Sequence, residues 1–534
     1  MKTTIKNLIL SAVLVVGGAS CVDLDTAPYD RETDLTYWEE DPEAAVKALN
    51  TCYTYLGNMD EQLYCEAMTD NAYTKQPNDA TQNIGNGSYS TADPYVKKVW
   101  DGRYTGIRMC NELLENIDRV PDLDPELKKR YIGEAKVLRA YNYYELYTKF
   151  GDVPYTTKVL SIKESMSIAR TAKATVIANV LADLDEVING NYLPTSYDAD
   201  NKGRITRWAA MAIKAKIYLF EGNWTQVKNI TSTIMTEGGF KLFGSYAGLF
   251  EIANEYNSEV ILDAQYRPTS REHQMMYVFL PPTLGGYSQL SPLQELVDSY
   301  IMLDGKTIKE TGTSFDESHP YANRDPRLKA TVMYTGNSYT LAAGTEVVIN
   351  CEKGEGKDGY GVGSDCSATG YYIKKYWDNA YRATLYSGLN PILIRYADIL
   401  LMNAEALAEL GELDKTAWDA TIKPIRDRAG FTLASAVEFP EGASKDKLIE
   451  IVRNERRSEL ALEGHRHKDI IRWRIADDVL NGWCHGLKTN EVVGTDNGYV
   501  RVENRAFNAN KHYLWPIPQA ERDLNGNLVQ NPNW

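Results

Sequence analysis

The chain has 534 residues, several times the roughly 100 to 200 of one typical domain, so it can bury a large core without help from disulfides or metals. Its composition, 43% hydrophobic and 25% charged, excludes a polytopic membrane protein and a wholly disordered chain. With 73 acidic against 58 basic residues, a formal charge of -15 and no long Lys/Arg block, a nucleic-acid partner is not expected.

Lys2 and Lys6 precede a mostly apolar run from Leu8 to Val16, then Gly17, Gly18, Ala19, Ser20 and Cys21. That is the layout of a secretory signal, and the run is too short to cross a hydrocarbon core, which takes about 20 residues. Small residues before a cysteine resemble the bacterial lipoprotein box, so residues 1–20 are read as a removed signal peptide and Cys21 as the acylated new N-terminus. A plain secretory signal with an incidental cysteine is the alternative. Residues 21–34 read as a solvated tether, in which Asp23 and Asp25 resemble the acidic stretch of surface-exported lipoproteins. So acidic a body is held by its lipid and not by attraction to anionic headgroups.

Helical periodicity dominates residues 35–239. Arg130 to Phe150 carries an apolar stripe and stops at Gly151. TRWAAMAIKAKIYLF breaks at Glu221, Gly222 and Asn223 and resumes as WTQVKNITSTIM, a helical hairpin. A second hairpin follows in the C-terminal region, residues 391–534: YADILLMNAEALAEL, a break at Gly411, then DKTAWDATIKPIRDRA. Ala215, Leu219 and Gly222 recur as Ala404, Ala408 and Gly411, so the pair resembles degenerate tetratricopeptide-type repeats. Residues 240–390 form an irregular insertion, richer in Gly, Pro, Asn and Tyr, in which SEVILDAQY, KATVMY, TEVVIN and YYIKKYW read as short strands. The fold class is therefore mostly α: helical hairpins carrying a large irregular insertion with short strands.

Catalytic and cofactor signatures are weak. Gly354, Gly356 and Gly359 spell GxGxxG, but no helix pattern follows, so the stretch is a loop. No CxxC supports a zinc or thioredoxin-like site. Cys351 and Cys366 either pair across a loop, worth roughly 3 kcal/mol in the chain-entropy model, or remain two buried thiols. His465 and His467 read as parts of a structural helix junction. Arg453, Glu455, Arg456, Arg457, Glu459 and Glu463 sit at helical spacing and predict a ladder of i,i+4 contacts. No two carboxylates are singled out as a glycosidase pair. No catalytic residue, metal or cofactor is expected.

Aromatics are more informative: 36 Tyr and 10 Trp against 10 Phe, rings with a hydrogen-bonding handle. Sugars present an apolar face and a rim of hydroxyls, so rings beside Asn, Gln or Asp suit them. The loop from Asp70 to Tyr95 offers Asp70, Tyr73, Gln76, Asn83 and Tyr89; the loop PPTLGGYSQLSP offers Tyr287 and Gln289. Tyr73, Tyr89 and Tyr287 are candidates to stack and Asp70, Asn83 and Gln289 to hold hydroxyls, with Gln76 a further candidate ligand contact.

Several segments in order are similar to the SusD/RagB family of surface nutrient-binding lipoproteins: Cys21, RYIGEAKVLRAYNYYELYTKFGDVPY, RITRWAAMAIKAKIYLFEGNW, YANRDPRLKATVMY, ILIRYADILLMNAEALAELG, ERRSELALEGHRHKDIIRWR and the terminal HYLWPIPQAERDLNGNLVQNPNW. The resemblance implies tetratricopeptide-like hairpins, capture of an oligosaccharide or sometimes a peptide without covalent chemistry, and anchoring in outer-membrane lipid through acylated Cys21, facing the exterior. It also implies a SusC-like TonB-dependent transporter as partner. Starch-binding members use an aromatic arc that includes Trp, which neither loop contains, so starch is not the expected ligand. A lipoprotein scaffold that binds proteins, and a surface glycoside hydrolase, are the alternative readings.

Overall fold

The computed structural model describes residues 33–75 and 81–534; the signal segment, Cys21, most of the tether and Gln76 lie outside the described residues. The N-terminal region is helical: α1 (Ala44–Tyr53), α2 (Met59–Tyr64), α3 (Thr81–Asn86), α4 (Pro94–Asn116), α5 (Pro125–Phe150) and α6 (Lys173–Asn189). Local chemistry sets the long ones. Asp93 and Asp124 accept backbone N–H groups at the starts of α4 and α5, each followed by proline in the first turn. Gly151, at φ +72°, ends α5 where a side chain would be strained.

Both expected hairpins are present. The first is α7 (Arg207–Phe220) with α8 (Trp224–Glu237); the second is α9 (Tyr396–Leu410) with α10 (Lys415–Ala429), and α8 packs against α9. Gly411 and Gly430 close α9 and α10 in the left-handed conformation. Next come α11 (Lys445–Glu459) and the short α12 (Arg466–Arg472). The strands of the insertion pair into small antiparallel sheets. β1 (Ala72–Thr74) joins β3 (Leu290–Pro292), and β2 (Val260–Asp263) joins β8 (Ile392–Arg395). Within the insertion, β4 (Val332–Met333) joins β7 (Tyr372–Ile373), and β5 (Ser338–Thr340) joins β6 (Glu346–Val348). The four strand segments expected there thus appear as β2, β4, β6 and β7.

The C-terminal region departs from the helical expectation. β9 (Asn481–Lys488) and β11 (Tyr499–Ala506) form an antiparallel pair, extended by β10 (Thr495–Asp496). Asn497 and Gly498, at φ +52° and +89°, make the tight turn between β10 and β11.

One large core unites α1 and α4 to α8 with Trp515 and Ile517 from the C-terminus; a second, built on Phe279, Tyr300, Tyr339 and Tyr372, belongs mainly to the insertion. Between the insertion and the C-terminal helices lies a buried ion network, and this corrects the expected i,i+4 ladder. Arg327 reaches Asp325 at 2.7 Å, Glu455 at 2.7 Å and Glu459 at 2.9 Å; Arg395 reaches Glu259 at 2.7 Å, Glu459 at 2.6 Å and Glu463 at 2.7 Å. Arg456 bridges Asp398 and Asp469. Glu455 and Glu459 of α11 are buried and pair with arginines far away in sequence rather than with neighbours one turn along the helix. Cys351 and Cys366 are buried free thiols.

Candidate functional site

The two candidate loops meet on the β1–β3 ladder. Tyr73 lies opposite Ser291, and the Lys75 N–H donates to the Gln289 carbonyl at 3.0 Å. Upstream of β3 the chain doubles back on the helical turn Met275–Phe279: the Tyr287 N–H donates to the Tyr277 carbonyl at 2.8 Å and the Gln289 N–H to the Val278 carbonyl at 2.6 Å. Gly286 makes this close return possible, since a Cβ there would stand 2.1 Å from the Leu280 carbonyl oxygen.

This backbone places three tyrosines at the surface. Tyr287 lies nearly parallel to Tyr277, ring centroids 5.8 Å apart at 15°, and Tyr386 meets Tyr277 edge-on at 5.8 Å and 84°. Tyr386 is brought there by a backbone bridge between His273 and Ser387, 2.9 Å in each direction. Tyr287 is 47% exposed and Tyr386 38%, an aromatic platform with open ring area. Beside it, Gln289 accepts through Oε1 from the Tyr64 hydroxyl at 3.3 Å. Tyr73 is half-buried, and its hydroxyl accepts from Gln82 at 3.2 Å. Tyr64 also lines a cleft of about 330 Å³ between the α1–α2 turn and α4, with Tyr55, Tyr95, Asp60 and Lys98. That volume is at the lower end of small-ligand sites.

The structure joins the Tyr73 and Gln289 segments through the backbone ladder, leaves Tyr287 exposed, turns the Tyr73 ring toward Gln82, Glu503 and Cys484, and gives three other candidates structural work. Asp70 is buried: Arg466 holds one oxygen through Nε and the other through Nη2, both at 2.8 Å, and Arg457 adds a contact at 3.0 Å. Burial alone would raise its pKa, but the two guanidiniums outweigh burial and hold the carboxyl well below the usual range. Tyr89 is buried between His512 and Trp534, with centroids 5.1 and 4.8 Å away. Asn83 hydrogen-bonds Asp93, the cap of α4. Tyr64, Tyr277 and Tyr386 were not singled out by sequence. For Tyr386 the signal was the one that found Tyr287, tyrosine among Gly, Asn and Ser in the irregular insertion; Tyr64, on α2, and Tyr277, in an apolar run, carry no such local signal.

Behind the cleft a narrower cavity of about 100 Å³ is lined by Glu145, Lys149, His465, His467 and Lys468. Burial, reinforced by Lys216 for His465 and by Lys149 and Lys468 for His467, lowers both imidazoles to about 3, so they are neutral at physiological pH. Among the described residues no group of three His, Cys, Asp or Glu is placed to hold a metal ion.

Residues 249–534 match the family model described as SusD family, and residues 37–219 match one described as "Starch-binding associating with outer membrane". The crystal structure of a SusD-like carbohydrate binding protein from Bacteroides fragilis is similar to this chain at a TM-score of 0.81 and 29% identity, covering 92% of this chain and 100% of that one. A further SusD-like protein of the same organism gives 0.80 and 27%, covering 95% and 100%. A SusD-like protein of Formosa agariphila is 27% identical over 99% of this chain and 98% of its own length.

Proposed function

The chain belongs to the SusD family, and on that premise we propose that it is a noncatalytic glycan-binding lipoprotein of the outer cell surface. It captures oligosaccharide and passes it to a SusC-like TonB-dependent transporter, anchored through acylated Cys21. The observation that carries the binding reading is the exposed stack of Tyr277 and Tyr287 with Tyr386 at its edge. Tyr287 offers a ring face to the C–H face of a sugar. Tyr73, Gln289 and Tyr64 supply hydroxyl and amide groups along the neighbouring ladder, and Asp70, Asn83 and Tyr89 support the loop without touching ligand. A carbohydrate binding function in the similar Bacteroides fragilis protein supports the ligand class.

Each ring contact is modest, so affinity is weak to moderate and retention depends on enclosure by the transporter. The test is isothermal titration calorimetry against soluble hexaoses of α-1,4-glucan, β-1,3-glucan, β-1,4-xylan and β-1,4-mannan. Wild type binds at least one; Tyr287→Ala weakens that binding about tenfold, roughly 1.4 kcal/mol, with circular dichroism unchanged. Unaltered affinity in the Tyr73→Ala/Tyr287→Ala double variant removes the site assignment.

A further inference from the structure

We propose a second glycan-binding site on the β9–β11 hairpin, centred on Trp483; it rests on the reading that this protein binds sugars. Of the ten tryptophans, Trp483 is the one that stays largely exposed among the described residues, at 42%. Alternation along β9 turns Cys484 into the core and Trp483 outward. An indole left in water forgoes a large burial gain, so core packing gives no reason for this residue type here. The ring is also held in place: the Arg501 guanidinium lies 5.5 Å from its centroid, and Arg501 Nε is itself bonded to Asp496 at 2.9 Å.

Trp483 stands at a cleft of about 400 Å³, lined also by Asp298, Lys309, Asn454, Arg457 and Asp478 and sharing no lining residue with the tyrosine platform. Acidic and basic side chains are nearly balanced around it, and Arg457 is paired with Asp70 at 3.0 Å. Neither a phosphate nor a bare cation is favoured by such a rim. Mixed donors and acceptors beside one flat apolar face suit an uncharged pyranose. Lys309 and Asp478 are exposed at the rim.

The two sites lie on one continuous piece of chain. Gln289 leads into β3, which runs on to the helix Gln294–Ser299, where Glu295 accepts from His485 of β9 at 2.8 Å. Gln289 and Glu295 are therefore at most roughly 20 Å apart. A glycan several rings long engages both, and the second contact becomes intramolecular, raising avidity for polymer over short oligomer.

The experiment uses the mature chain, the four hexaoses above and their parent polysaccharides in affinity gel electrophoresis. Expected is a loss of polymer retention of at least threefold in Trp483→Ala with unchanged circular dichroism. In 5-fluorotryptophan-labelled protein, the ¹⁹F resonance missing from that variant shifts when sugar is added, and it still shifts in Tyr287→Ala. Retention identical to wild type in Trp483→Ala, with retention lost in Tyr287→Ala, overturns the second site and leaves the proposed function standing. If wild type binds none of these glycans, both fall.

Discussion

At the scale of single residues, Asp70 and Tyr287 show what local sequence reveals. Both lie in loops of the same sugar-compatible composition. Tyr287 is displayed, whereas Asp70 neutralises Arg466, a partner 396 positions away that no local pattern announces. Tyr89 is hidden for a similar reason, because Trp534 folds back onto it. Loop composition does not separate these residues; long-range charge pairing and packing bury Asp70 and Tyr89 and leave Tyr287 exposed. Asp70→Ala leaves two buried guanidiniums without their counter-ion and is expected to cost about 3 to 5 kcal/mol. Urea unfolding checks this: a loss below about 1 kcal/mol means the pair is not structural in the way described. Tyr287→Ala, in the same assay, stays within about 0.5 kcal/mol of wild type because nearly half the ring is already in water.

Among elements, the helices were the most legible. α5, the two hairpins and their glycine stops all follow from apolar spacing and backbone freedom at Gly151 and Gly411. The β9–β11 hairpin was missed although its Asn497–Gly498 turn is a strong local signal. Register shifts between Tyr499 and Glu503 break the alternation that would have marked the strand. Gly486 is where this hairpin approaches the segment before β7: a Cβ there would lie 2.4 Å from the Thr369 carbonyl oxygen. Gly486→Ala therefore pushes the hairpin off its neighbour. Amide hydrogen exchange is expected to rise across 481–506 while α7 to α10 keep wild-type protection. Unchanged exchange in the hairpin would show that the contact can relax.

Across the whole molecule, composition sets residues 240–390 apart but gives no sign of how tightly they are welded to the helices, because that bond is made of buried charges. The same interior stores a pH response. His465 and His467 have folded-state pKa values of about 3, below the ordinary value of about 6.5 for an exposed imidazole. The area they leave uncovered lines the internal cavity. Their stabilising contribution is complete above pH 6.5 and is lost as pH falls toward 3, since only the unfolded chain takes up those protons. Each histidine makes stability fall by up to about 1.4 kcal/mol per pH unit in that window. Thermal melts between pH 7 and 4 are expected to decline, and His467→Gln to flatten the decline; identical slopes in variant and wild type would refute the assignment.

The weld between insertion and frame bears on how such proteins diversify. Within residues 240–390, Arg327 is joined to Glu455 and Glu459, Lys375 to Glu463, and Glu259 to Arg395 and Arg428, so this segment is not a detachable cartridge. A graft of the entire segment from a relative would import charged side chains whose partners stay behind. Exchanging only the outermost turns, such as those bearing Tyr287 and Tyr386, leaves these charged roots in place.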